Sequence, residues 1–285
     1  MSVPKKRRST RMIELTRAFL ESPNTLFSLT EWADTYGSAK SSLSEDVAMI
    51  KTTFETQGIG TVVTFAGAQG GVMYVPSMAF SQAHSLVVSL IQKVEDPSRI
   101  LPGGYVYLTD LLGDPYVLRQ IGRLVAALFP AHTFDVIMTV ETKGIPLAYA
   151  ASYALNRRVV IARRDSQITE GSLVTINYVS GSNRHIQTMS LSRRMVPEGA
   201  RVLIIDDFLR GGGTLKGMSD LLKEFRATPI GAFVLMEAES EGVRLYDDHI
   251  SLLRLNMLDD THQTLKVEAG NVFSRWKAEA DYDRL

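Results

Sequence analysis

The sequence predicts two units in one chain: a mostly helical unit closed by a β-hairpin over residues 1–76, then an α/β domain on a parallel sheet over residues 77–285. Three observations predict this. Apolar residues recur at helical spacing as far as Phe54, and after Gly58 and Gly60 the period becomes that of extended chain. From Asp114 onward, continuous apolar runs alternate with helical segments, the pattern of strands buried on both faces. One of those runs delivers two adjacent acids, Asp206 and Asp207, toward a turn of three consecutive glycines.

Taken in order, Ile13, Leu15, Phe19 and Leu20 mark a first helix, with Ser9 as its candidate cap. Ser28 followed by Glu31 is a capping box, in which the Ser28 hydroxyl accepts from an otherwise unpaired N–H. It opens a short helix through Trp32 that stops at Gly37, a residue suited to the left-handed conformation. Ser38 is the candidate cap of a third helix. Its apolar stripe is Leu43, Val47, Ile50 and Phe54, and its opening face carries Lys40, Ser41, Ser42 and Ser44. Residues 61–65 and 72–75 are rich in β-formers, flank a glycine-rich loop and predict a hairpin. Helices joined at a glycine, a longer helix and a hairpin are the parts of a winged helix-turn-helix. Pro76 ends the unit, and residues 81–91 form one more helix, either joining the halves or lying at a dimer interface.

Loops follow at Asp96-Pro97 and at 102–104. Asp114 and Pro115 then start a helix, with proline in the first helical position. Residues 134–140, 159–162, 201–205, 230–236 and 250–255 are expected strands, and 145–155 and 215–225 expected helices. Residues 169–191 are polar and rich in Thr, Ser and Asn; they predict a protruding hairpin or a mobile loop.

Composition narrows the function. With 285 residues, 45% of them hydrophobic, the chain can bury a sizeable core. The absence of cysteine excludes disulfides, thiolate metal sites and a cysteine nucleophile. Five histidines without a close pair argue against a histidine metal site, and no metal-ligating residue is assigned. No apolar run reaches the roughly 18 residues of a spanning helix, and no apolar stretch follows the basic N-terminus. No membrane partner is therefore expected, and the location is expected to be cytoplasmic. Acids and bases balance at 31 each, so nucleic-acid binding requires a local patch. Lys5, Lys6, Arg7, Arg8, Arg11 and Arg17 stand against only Glu14 at the start of the chain and supply one, unless they form a solvated tail.

The most informative stretch is Asp206, Asp207, Phe208, Leu209, Arg210, Gly211, Gly212, Gly213 and Thr214, after a buried strand. Ligands of open α/β sheets bind outside the carboxyl ends of strands. The glycines let backbone N–H groups turn inward as an anion nest, and the helix starting near Thr214 adds partial positive charge. Carboxylates beside a phosphate cradle would repel the ligand unless they serve sugar hydroxyls or Mg²⁺. A molecule carrying a phosphate and a free ribose diol fits. The alternative is a tight strand–helix turn with capping acids. No Gly-Lys-Ser/Thr closes the loop, so the Walker pattern is absent. Thr142, Lys143 and Gly144, after the 134–140 strand, offer a second anion locus.

The acid pair with its glycine loop resembles the phosphoribosyl-pyrophosphate (PRPP) motif of type I phosphoribosyltransferases. Residues 141–144 resemble their pyrophosphate loop and 163–191 their mobile hood. More fully, the chain resembles the purine operon repressors of Gram-positive bacteria, through residues 38–46, 100–107, 142–150, 176–181 and 202–214. That resemblance spans both halves. It implies a winged-helix domain that binds double-stranded operator DNA, joined to a phosphoribosyltransferase-like effector domain in a homodimer. It implies PRPP, with Mg²⁺, as the effector that relieves DNA binding. Asp206 and Asp207 would then contact ribose hydroxyls, residues Arg210, Gly211, Gly212, Gly213 and Thr214 the 5′-phosphate, and Thr142, Lys143 and Gly144 the pyrophosphate.

The chain departs from the active enzymes at Gly211, where they carry Thr or Ser, and at Phe208, where they carry a small aliphatic residue. A sensor without turnover is expected, and no catalytic residue is assigned. The competing readings are a purine phosphoribosyltransferase with an appended regulatory domain and an RNA-binding regulator on the same fold. Arg210 adds a charge that can pair with phosphate. Phe208 and Tyr105 offer an aromatic surface for a base, and Arg163 and Arg164 either reach a pyrophosphate or are solvated. Two anion loci plus a stacking surface predict competition by guanosine tetraphosphate. The expected DNA face comprises Arg7, Arg8, Arg11, Ser38, Lys40, Ser41 and Ser42.

Overall fold

The computed structural model describes residues 5–67, 70–164, 171–179, 186–239, 243–259 and 261–276. The N-terminal unit is α1 (Arg8–Glu21), α2 (Leu29–Tyr36), α3 (Lys40–Thr56) and the antiparallel hairpin β1 (Gly60–Phe65) and β2 (Gly71–Pro76). The capping box forms, with the Ser28 hydroxyl accepting from the Glu31 N–H at 3.3 Å, and Gly37 ends α2 at φ 58°. Leu43, Val47, Ile50 and Phe54 turn inward onto Leu15, Phe19 and Tyr74. Phe19, Phe27 and Trp32 close the core with edge-on and stacked rings. This is a winged helix-turn-helix, with α3 in the position of the recognition helix.

Three expectations for this unit are corrected. Ser9 lies inside α1, whose N-cap is Arg7, and Ser38 does not cap α3, whose N-cap is Ala39. The Ser38 hydroxyl instead donates to the Tyr36 carbonyl and accepts from Arg11. Arg11 is only 4% exposed, and its guanidinium grips the fully buried Asp46 at 2.7 and 3.0 Å. A buried cation engaged with a carboxylate is a packing element, so Arg11 leaves the candidate DNA face, while half-buried Ser38 stands beside that face.

The second unit runs α4 (Phe80–Val94), β3 (Ile100–Leu101), β4 (Tyr105–Val106), α5 (Thr109–Gly113), α6 (Pro115–Leu128), β5 (Val136–Val140), α7 (Gly144–Leu155) and β6 (Val159–Ala162). It continues through β7 (Leu173–Val179), β8 (Ile186–Ser192), β9 (Arg201–Leu209), α8 (Gly213–Glu224), β10 (Thr228–Ala238), β11 (His249–Asp259) and β12 (Thr264–Ala269). The sheet order is β12-β11-β10-β9-β5-β6, parallel except for β12. The parallel α/β sheet expected from the sequence is present, and β12, a strand the sequence reading did not assign, adds an antiparallel edge. Successive residues of β9 serve opposite cores. Leu203 and Ile205 join the cluster under α4, α6 and α7, whereas Val202 and Ile204 join the one under α8. The polar 169–191 segment supplies the antiparallel pair β7–β8, packed on α8, while residues 165–170 and 180–185 of the expected hood lie outside the described residues. Among the described residues, no helix is long and apolar enough to cross a membrane.

Side-chain hydrogen bonds join the units, among them one from Gln82 to the Gln57 carbonyl at 2.9 Å. Asn24 donates to the Leu155 carbonyl at 3.2 Å, and Asn156 to the Thr25 hydroxyl at 3.0 Å, so the C-terminus of α7 abuts the link between α1 and α2. Arg123 of α6 donates to the Gly58 carbonyl at 3.0 Å, just past the end of α3. Helices α6 and α7 approach closely, because a Cβ on Gly122 would collide with the Ala150 carbonyl.

Candidate effector cleft and nucleic-acid interface

A cleft of about 780 Å³ opens at the carboxyl ends of β5 and β9. Of the residues expected at an effector site, Tyr105, Thr142, Lys143, Arg164, Asp206, Asp207, Phe208, Arg210, Gly211, Gly212, Gly213 and Thr214 line it. The backbone explains the convergence. Helix α7 starts at Gly144 after Lys143, and α8 starts at Gly213 after Gly212; neither start has a side-chain cap. First-turn N–H groups that no side chain satisfies carry partial positive charge. Gly212 stands at φ 79°, and a Cβ there would lie 2.9 Å from the Tyr246 nitrogen. Glycine is required at that position both by conformation and by the close backbone.

Between the two helix starts lie Asp206 and Asp207. Strand β9 delivers both near its carboxyl end, as expected, and runs on to Leu209, beyond the expected 201–205 span. The Asp207 N–H donates to Asp206 Oδ1 at 2.9 Å. Burial, then the neighbouring Asp207 charge, pushes the Asp206 carboxyl well above its ordinary range. Burial also raises Asp207, against the pull of Asp206's hydrogen bond and the Lys143 and Arg164 charges. Among the described residues, neither acid has an ion pair within 4 Å in the structure. An acid pair with Asp206 buried and Asp207 half-buried, and with no basic side chain among the described residues paired to either, favours a partner that brings hydroxyl donors or positive charge.

Two expected site residues stand back from the cleft. A Cβ on Gly144 would collide with the Thr139 hydroxyl and lie 3.2 Å from Asp206 Oδ1, so Gly144 is the spacer that lets α7 start against the acid pair. Arg163 does not line the cleft; its side chain lies 3.6 Å from Glu141 Oε2, and its backbone pairs with Ser190. Arg210 lines the cleft but is engaged: it donates to the Gly104 carbonyl at 3.0 Å, and its guanidinium lies 5.8 Å from the Phe208 ring centre. It thereby ties the β3–β4 hairpin, with Tyr105, to the glycine loop.

Leu101, Pro102, Glu141 and Gln187 belong to the lining and were not assigned from sequence. Glu141 accepts from the Arg164 N–H at 2.6 Å; its place at the end of β5, beside an assigned turn, was the available signal. Gln187 arrives on β8, where it accepts from the Tyr178 hydroxyl at 2.7 Å. Tyr178 in turn lies on Gly217 of α8, and no local pattern announces such a contact.

On the other unit, Arg7, Lys40 and Ser41 are exposed at the starts of α1 and α3, and Ser42 is half-buried. Arg8 is half-exposed and bonds Asp46 at 2.8 Å, leaving part of its charge for solvent. The interface that remains is narrower than the basic composition of the segment suggested.

Comparison with known proteins matches both units. Residues 7–76 match the family described as "Bacterial purine repressor, N-terminal", and residues 109–268 match "Phosphoribosyl transferase domain". The chain is 52% identical over 271 residues to the purine biosynthesis transcriptional repressor PurR of Bacillus subtilis, covering 95% of each chain. It is 40% identical over 268 residues to the purine biosynthesis transcriptional activator PurR of Lactococcus lactis, covering 94% of this chain and 99% of that one. To a xanthine phosphoribosyltransferase of Bacillus cereus it is 29% identical over 184 residues, 61% of this chain and 93% of the enzyme. With similarity to the regulators running through both units and to the enzyme through one, the chain belongs to the PurR family of purine biosynthesis transcriptional regulators.

Proposed function

We propose that this protein is a cytoplasmic repressor of purine biosynthesis genes, in which residues 1–76 bind double-stranded operator DNA, residues 77–285 bind PRPP, and the working form is a homodimer. The observation that carries the effector reading is the acid pair, Asp206 buried and Asp207 half-buried, set between two uncapped helix starts. A ribose diol answers the carboxylates, and a phosphate at each end answers a helix start. Mg²⁺ fits the same chemistry: two protein carboxylates leave room for ligand oxygens and water, the coordination this ion favours.

Release follows if PRPP binds the weak-DNA conformation more tightly than the DNA-bound one. Helix α7 supports such coupling, since it starts at the 142–144 turn and ends against Asn24 and Thr25. The direct experiment is an operator titration with and without PRPP and Mg²⁺. Weaker binding with the ligand is expected; an unchanged curve refutes the effector assignment.

The phosphoribosyltransferase fold is read as a sensor. Arg210 occupies the glycine loop and spends hydrogen-bonding capacity on the Gly104 carbonyl, in a region that an enzyme needs for a closely wrapped 5′-phosphate. No pyrophosphate release is expected with adenine, guanine, hypoxanthine or xanthine. Turnover on the order of 1–10³ s⁻¹ overturns this and promotes the enzyme reading.

At the DNA face, Arg7→Ala and Lys40→Ala are expected to weaken specific and random DNA about equally. Each should flatten the salt dependence by about 0.9 in log–log slope for a lost phosphate contact. An unaltered slope removes that residue from the phosphate contacts.

Guanosine tetraphosphate is expected to compete with PRPP, filling both anion loci while its base lies on Phe208 and Tyr105, which is half-exposed in the cleft wall. Calorimetric titration into free and PRPP-saturated protein checks this. Equal affinity in both sinks the shared site, and full affinity for Phe208→Ala sinks the stacking.

A further inference from the structure

We propose that Glu237 is a positioning residue for the phosphate-holding glycine loop, acting through the strap 243–248; this rests on the reading of that loop as the 5′-phosphate site. Residues 243–248 form no helix or strand, yet they make the outer wall of the loop. The Leu245 N–H donates to the Gly211 carbonyl at 3.0 Å, and the Tyr246 nitrogen lies 2.9 Å from where a Cβ on Gly212 would stand. A loop whose N–H groups must converge on an anion is only as well placed as the wall behind it.

The strap is held at both ends by one carboxylate. Glu237, near the carboxyl end of β10, pairs in register with Leu209, two residues before Gly211, and is 1% exposed. Its Oε2 accepts from Arg244 Nη1 at 2.8 Å, at the entry to the strap, and is 2.8 Å from His249 Nε2, at the exit. Its Oε1 accepts from Arg254 Nε of β11 at 2.9 Å, which anchors the cluster in the sheet. Arg244 also donates to the Ala238 carbonyl at 3.3 Å, and the Ala232 N–H donates to the Asp248 carbonyl at 3.1 Å. Burial raises the Glu237 carboxyl, but the hydrogen bonds from His249, Arg254 and Arg244 outweigh it and hold the group well below the usual carboxylate range. The Glu237 carboxylate is therefore ionised throughout the neutral range. Glu237 is absent from the cleft lining, so its effect must pass through the strap.

The test uses the full chain as wild type, Glu237→Gln and Arg244→Gln, with calorimetry against ribose 5-phosphate and, separately, pyrophosphate. The Glu237→Gln change removes the charge and turns an amide N–H₂ toward an arginine that needs an acceptor. The Arg244 variant frees the strap from its surface end and keeps the test open if the buried change prevents folding. Ribose 5-phosphate affinity is expected to fall about tenfold in both variants, the lower end of losses on removing a group that orients a binding shell. Pyrophosphate affinity, assigned to the 142–144 turn, and operator affinity are expected to stay at the wild-type values. Unchanged ribose 5-phosphate affinity in the variants, or an equal loss for both ligands, overturns the positioning role. Failure of the wild type to bind ribose 5-phosphate overturns the phosphate reading itself and the proposal with it.

Discussion

Replacing Asp206 and Asp207 together by alanine is expected to leave operator binding intact while abolishing release by PRPP. Each hydrogen bond to a charged group contributes about 1.5–3 kcal/mol, so losing a carboxylate partner for each of two hydroxyls weakens PRPP by on the order of 100-fold or more. The loss should come without a stability penalty. Burial and the Asp207 charge work against ionising Asp206. Its raised pKa means that the folded protein holds more protons than the unfolded chain, so the stability of the ligand-free protein falls as pH rises through that window. The double mutant lacks that fall. Operator binding followed during a PRPP titration, with thermal melts across pH, reads both effects. A mutant that still lets go of DNA at the wild-type PRPP concentration removes the acid pair from the site.

The second large effect is on folding. Asp46→Ala is expected to destabilise the N-terminal unit by about 3–5 kcal/mol, because it strands the buried Arg11 guanidinium without its counter-charge. The pair need not be worth that much as a pair; the cost is that of an uncompensated buried ion. Arg8→Ala, at the half-exposed end of the same network, should cost less than about 1 kcal/mol. Chemical denaturation read through the fluorescence of Trp32, which stacks on Phe27 at 4.7 Å, separates the two. An Asp46→Ala midpoint close to that of wild type would mean that Arg11 escapes to solvent. Arg11→Ala should likewise lose DNA binding through unfolding, with no change of salt slope in whatever fraction remains folded.

The contrast between these predictions follows the range of the interactions behind them. The capping box at Ser28, the stop at Gly37, the stripe from Leu43 to Phe54 and the acid pair before three glycines are set by residues within a turn or two of one another. Periodicity and local hydrogen bonding leave that kind of information in the amino-acid order, and with it came the two units, most strand and helix positions, the acid pair with its glycine loop and the 142–144 turn, whereas Tyr105 and Arg164 were named only beside the family resemblance. The sequence by itself therefore determined what sort of domain each half is and that the acid pair and the glycine loop stand at the carboxyl end of a buried strand. Tertiary structure alone decided which charges the fold engages. Arg11 looks like its basic neighbours until Asp46, 35 positions along, takes it into the core. Arg210 looks like a phosphate ligand until Gly104, 106 positions before it, accepts its hydrogen bond. Gln187 enters the cleft on a hairpin seated on α8, and β12 turns antiparallel at the sheet edge. A charge is unspent or engaged according to what the fold brings within about 4 Å of it, and composition carries no record of that distance.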